Sequence, residues 1–179
     1  KLHVVEIPQT GSITITNSPG AGYHIRQIDL GPSLTNASPN LGIEGVAYDK
    51  DKDVFYVVTE KTANEGWKVW KVNNNTTVTI TALFTLTSAL AALSPAATDI
   101  SDIFFKRDSN TLVMVSEEGN GWILEFTLDG TLIDSQVAPS IFYLIEGICF
   151  TPNGEFMFLT GEANVIGGDR PDFAIYQYN

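Results

Sequence analysis

A phrase repeated three times in register, short apolar strands joined by tight-turn residues, and a repeat length of roughly 40 to 60 residues predict an all-β fold. The expected architecture is a β-propeller of four-stranded antiparallel blades, of which this chain of 179 residues holds about three and a half. The phrase runs from an acidic or polar residue through two apolar strands to a closing carboxylate. Its copies are Glu44-Gly45-Val46-Ala47-Tyr48 to Thr59-Glu60, Ser101-Asp102-Ile103-Phe104-Phe105 to Ser116-Glu117, and Glu146-Gly147-Ile148-Cys149-Phe150 to Gly161-Glu162. In each copy the aromatic lies twelve residues before the closing Glu, and the opening residue (Glu44, Ser101 or Glu146) sixteen before it.

Alternation and turn chemistry place the strands in order. Residues 1–40 read as a partial blade, with strands near Leu2–Ile7 and Ser12–Thr16 and an extended run at Tyr23–Leu30. Residues 41–98 form the next blade: Glu44–Tyr48, a turn at Asp49–Asp53, then Val54–Val58, Lys68–Val72 and Thr77–Leu86. In residues 99–140 the strands are Asp102–Lys106, Thr111–Ser116, Trp122–Leu128 and Thr131–Val137. The turn Arg107–Asn110 joins the first two, and Asp129-Gly130 the last two, because Asp-Gly readily takes the positive φ of a tight hairpin. Residues 141–179 hold Glu146–Phe150, the turn Asn153-Gly154, Glu155–Leu159 and Phe173–Tyr178, a last blade of three strands.

Each blade has two apolar faces that neighbouring blades must cover, so an open arc would expose sheet faces and aggregate. The chain opens directly on a strand-like run with no initiator Met or signal-like segment, so it is expected to begin in mid-domain. An upstream part of the same polypeptide is expected to complete the ring.

Composition narrows the partners. Ten Lys and Arg stand against 21 Asp and Glu, a formal charge of −11, so nucleic acid would be repelled across most of the surface. A hydrophobic content of 44% suffices for a packed core. The most apolar stretch, Thr79 to Ala97, is broken by Thr, Ser and Pro95, so no membrane span is expected. Cys149 is the single cysteine, which excludes an intrachain disulfide, and its place between Ile148 and Phe150 reads as a small buried hydrophobe.

At these motifs the chain resembles the SdiA-regulated family of bacterial propeller proteins. The matching segments are Leu41–Tyr48 with Val57-Val58-Thr59-Glu60-Lys61, Asp99-Ile100-Ser101-Asp102 with Leu112–Glu118, and Ile145-Glu146-Gly147-Ile148 with Glu162-Ala163-Asn164. The resemblance implies a propeller of five or six blades when complete, exported to the periplasm or cell surface. It also implies a likeness to larger propeller groups that include calcium-dependent lactonases and phytase-like esterases. The chain departs from the family at Asn73–Thr77 and in an insertion at Asn164–Asp172.

Inner strands line a propeller's channel, so Glu44, Asp102 and Glu146, at the start of those strands, are expected to face one another across its mouth. Glu60, Glu117 or Glu118, and Glu162 end the returning strands at the same rim. Gathered carboxylates need compensation, from a bound Ca²⁺ or from hydrogen bonds that make them structural ties. No organic cofactor is expected. Asp49-Lys50-Asp51-Lys52-Asp53 imitates the opening of a calcium loop but has Val54 where that loop needs glycine, so a solvated hairpin turn is the better reading.

No Gly-x-Ser-x-Gly elbow is present, and the only histidines, His3 and His24, lie far in sequence from the repeats. Trp67, Trp70 and Trp122 could stack on sugars but read better as packing between blades. The expected function is that of an exported binding or scaffold module for an unidentified protein, small-molecule or glycan ligand. The alternatives are a calcium-dependent ester, lactone or phosphoester hydrolase, and a structural module of an extracellular or virion-associated assembly.

Overall fold

The computed structural model describes residues 2–5, 25–28, 42–62, 66–74, 77–94, 96–97, 99–116, 121–138, 144–162 and 172–177. A two-stranded antiparallel sheet pairs β1 (Leu2–Val5) with β2 (Ile25–Ile28). The strand expected at Ser12–Thr16 lies outside the described residues, as does His24.

Three antiparallel meanders follow. The first orders β3 (Ile43–Asp49), β4 (Val54–Thr62), β5 (Gly66–Asn73) and β6 (Thr79–Thr85) side by side. The second does the same with β7 (Asp102–Lys106), β8 (Thr111–Ser116), β9 (Trp122–Thr127) and β10 (Leu132–Val137). The third has three strands, β11 (Leu144–Phe150), β12 (Phe156–Glu162) and β13 (Asp172–Gln177). The first strands of the three sheets lie beside one another, β7 touching β3 on one side and β11 on the other. Successive four-stranded sheets packed face to face around their first strands are the blades of a β-propeller.

Turn residues fix the hairpins. Gly130 carries φ 89°, and a Cβ there would lie 2.6 Å from Cγ of Phe84, so this turn needs glycine for both its backbone and its space. Asp53 holds φ 52° with its carboxylate accepting hydrogen bonds from the Tyr48 hydroxyl and the Asn74 amide, both at 2.9 Å. Asp49 closes the same turn by accepting the backbone N–H of Asp51 at 3.0 Å and pairing with Lys52 at 3.2 Å. The calcium-loop likeness of this segment is therefore spent on holding a hairpin.

A short helix, α1 (Thr87–Ala91), follows β6, where the sequence predicted only the end of a strand. Alanine and leucine favour the helix, and the Leu90 N–H donates to the Leu86 carbonyl at 3.0 Å so that both leucines enter the core one turn apart.

The core occupies the seams between blades. Ala47, Tyr56, Val58 and Val69 of the first blade meet Ile103, Phe105, Leu112, Met114, Leu124 and Phe126 of the second. On the far side of the second blade, Val113, Val115 and Ile123 meet Ile145, Ile148, Phe150, Met157 and Leu159 of the third. β8 therefore sends alternate residues into two cores and is buried throughout, which is why its sequence reads as an unbroken apolar run. Trp67 and Trp122 are buried in the first seam, in keeping with their packing role.

Among the described residues the outer face of the third blade is uncovered, whereas that of the first is covered in part, with Phe55, Val57 and Val72 buried on it. Tyr48 is 48% exposed, whereas its repeat equivalents Phe105 and Phe150 are 7% and 8% exposed because a preceding blade covers them. At the other end, Phe173 and Ile175 are 61% and 56% exposed on the outer face of the third blade. Cys149 belongs to this face and is exposed, which corrects the sequence reading of a buried thiol. Its alternate neighbours Ile148 and Phe150 turn toward the second blade and leave Cys149 on the uncovered side.

Candidate functional site: the rim at the start of the inner strands

The three inner strands open on Ile43-Glu44-Gly45, Ile100-Ser101-Asp102 and Ile145-Glu146-Gly147. The first and third share a distortion. Ile43 pairs with Thr59 and Gly45 with Val58, while Ile145 pairs with Gly161 and Gly147 with Thr160. Two residues thus stand against one on the partner strand, and Glu44 and Glu146 are the extra residues of two equivalent β-bulges. Both glutamates are exposed.

The second strand carries serine and aspartate at these two positions. From Asp102 onward the ladder is regular, Asp102 pairing with Val115 and Ile103 with Met114, while the N–H of Ser101 just ahead of it also donates to the Val115 carbonyl at 3.0 Å. The repeat sets Ser101 level with Glu44 and Glu146, and Asp102 level with Gly45 and Gly147. Asp102 therefore sits one residue further into the strand than the two glutamates, in keeping with the repeat register, which sets Ser101 level with them. Its carboxylate lies between the two glycines. A Cβ on Gly45 would fall 2.7 Å from Oδ1 of Asp102 and 2.7 Å from the Ile103 nitrogen, and one on Gly147 would fall 2.5 Å from Oγ1 of Thr160 and 3.8 Å from Oδ2 of Asp102.

Asp102 is tied to backbone on both of its oxygens. Ile103 N–H donates to Oδ1 at 2.8 Å, and Ile148 N–H, from the next blade, donates to Oδ2 at 2.9 Å. Burial pushes its carboxyl above the usual carboxylate range, and the two backbone donors draw it partly back. Ser101 beside it is buried, and its hydroxyl donates to the Ile145 carbonyl at 2.5 Å. Sequence reasoning gave neither residue this task, although the repeat register, with serine in a glutamate's place and aspartate in a glycine's, carries the signal.

The remaining rim acids divide by position. The strand ends bearing Glu60 and Glu162 lie at the same end of their sheets as Glu44 and Glu146, since Thr59 pairs with Ile43 and Glu162 with Leu144. The side chains of Glu60 and Glu162, and all of Glu117 and Glu118, lie outside the described residues. Among the described residues, no three His, Cys, Asp or Glu side chains gather closely enough to hold a metal ion. Two cavities adjoin the inner strands. One, of about 450 Å³, lies beside Asp102 and is lined by Ile148, Cys149, Phe158, Thr160 and Phe173; the other, of about 250 Å³, lies at the turn end against Lys50, Phe104, Arg107, Asp108 and Phe150.

Repeated meanders, inner strands side by side and a rim built from their first residues define a β-propeller domain. The family model for SdiA-regulated proteins matches residues 2–137, and the chain belongs to that family. Among curated proteins no sequence matches it. Several solved structures are similar in fold, two of which illustrate the likeness. The nidogen/laminin complex has a chain with a TM-score of 0.54 at 15% identity, the match covering 75% of this chain and 44% of that one. Luciferin-regenerating enzyme has a TM-score of 0.50 at 14% identity, covering 66% of this chain and 37% of that one. The chain thus spans less than half the length of either.

Proposed function

We propose that this chain is part of an exported β-propeller that acts as a binding or scaffold module, presenting Glu44 and Glu146 at its ligand rim and taking Ca²⁺ there. The observation that carries the reading is the pair of matching bulges, which places an exposed glutamate at the same point of two inner strands. Bulges of this kind commonly re-aim a side chain beside a functional site. Asp102 is a structural tie in this reading, because both of its oxygens already accept backbone N–H groups. Further blades cover the exposed Tyr48 at one end and Phe173 and Ile175 at the other, as neighbours cover Phe105 and Phe150 within the arc.

A thermal melt of the full-length protein with Ca²⁺ and then with chelator tests the rim. A ligand at 100 times its dissociation constant adds about 2.7 kcal/mol, so the melting temperature should rise with Ca²⁺ and the rise should vanish in Glu44→Gln and Glu146→Gln. No rise in the unaltered protein would remove the ion from the reading and leave a scaffold whose partners are proteins. Turnover of an ester, lactone or phosphoester, abolished by the same substitutions, would replace the binding module with a hydrolase. Cell fractionation tests export.

A further inference from the structure

We infer that Ser101 and Asp102 are positioning residues for Glu146, clamping the bulge of the following blade from outside its own sheet; the inference rests on the rim reading above for its functional meaning. β11 is the edge strand of its sheet, so the backbone groups on its free side, those flanking the bulge included, need partners from outside the sheet. Here those groups are met from the neighbouring inner strand. The Ile145 carbonyl, just before Glu146, accepts from the Ser101 hydroxyl at 2.5 Å, and the Ile148 N–H, two residues after it, donates to Asp102 at 2.9 Å. The two contacts bracket Glu146 and come from adjacent residues of β7.

The surroundings are shaped for this clamp. Gly45 leaves room for the Asp102 carboxylate and the backbone behind it on one side, and Gly147 keeps the bulge clear of Thr160 on the other. Ser101 is buried, which confines its hydroxyl to protein partners. The Ser101 N–H donates to the Val115 carbonyl at 3.0 Å and Asp102 pairs with Val115, which anchors the clamp to its own sheet. In this pair of blades the Ile-Ser-Asp opening holds the bulge and the Ile-Glu-Gly opening presents the acid.

Amide hydrogen exchange in the full-length protein tests the clamp without reference to any ligand. Asp102→Ala should speed exchange at Ile148 by about tenfold or more, since it removes a hydrogen bond to a charged acceptor, while Leu124 in the first seam keeps its protection. Asp102→Asn, which keeps one acceptor oxygen, should restore part of the protection, and Ser101→Thr should behave like the unaltered protein. Unchanged exchange at Ile148 in Asp102→Ala would overturn the clamp. If the unaltered protein shows a Ca²⁺-dependent rise in melting temperature, Asp102→Ala should diminish it, and a rise retained in full would overturn the positioning role. Faster exchange in a protein that never responds to Ca²⁺ supports the clamp and removes only the rim ion.

Discussion

The Asp102 carboxylate and the Ile148 N–H meet across a blade boundary at 2.9 Å, joining two sheets that share no ladder hydrogen bond. The bond has a pH signature. Burial raises the Asp102 carboxyl above its ordinary value, so the folded state prefers the protonated form. Such a group contributes stability that is full below its unfolded pKa of about 3.9 and is lost as pH rises through the higher folded value. The unaltered protein should lose stability relative to Asp102→Asn as pH climbs from about 3.5 through that window. Urea unfolding of both proteins across the range checks this, and a flat difference, or one of opposite slope, would contradict the burial argument.

Gly45 and Gly147 occupy the same repeat position but should differ in tolerance. Gly45→Ala meets the Ile103 nitrogen and Cα of Asp102, which are backbone and cannot swing away, so it should cost about 2 kcal/mol or more. Gly147→Ala chiefly meets the Thr160 hydroxyl, and the added substitution Thr160→Ala should recover most of its smaller loss. Denaturant midpoints of the two single variants and the double variant decide the matter.

The hairpin turns of the first two blades are latched by Arg107 and Asp51, whose Nε and Oδ2 lie 2.5 Å apart, and by Lys52 donating to Asn110 at 2.8 Å. Arg107 and Asp51 are both about half exposed, so a double-mutant cycle should give a coupling of about 1 kcal/mol or less that weakens as salt is raised. A larger, salt-independent coupling would mean that the latch is shielded from solvent.

Glu125 is buried in the second blade, accepting from the Thr111 hydroxyl at 2.5 Å and pairing with Lys106 at 3.5 Å. Thr111→Val should cost about 1 to 3 kcal/mol, because it strips a short hydrogen bond from a buried carboxylate while preserving shape. Thr111→Ser should cost less. Equal losses in the two variants would point to packing of the methyl group instead.

Much of this protein was legible in its residues. The three copies of the phrase, the Asp129-Gly130 and Asn153-Gly154 turns and the alternation around them determined the meanders, because tight turns and a two-residue period are local properties. The strands Asp102–Lys106 and Thr111–Ser116 lie where the sequence puts them. Helix α1 and the exposure of Cys149 were not legible, since the first depends on Leu86 and Leu90 finding a core and the second on which face of a blade has a neighbour. The rim shows the same division. Sequence alone picked out Glu44, Asp102 and Glu146 as acids at the start of inner strands. The repeat register already set Asp102 one residue past the two glutamates, but only the tertiary structure showed that Glu44 and Glu146 stand out on bulges, because a bulge is a matter of strand register. The bond that engages the third comes from a backbone 46 residues away, brought within reach by the packing of one blade on the next.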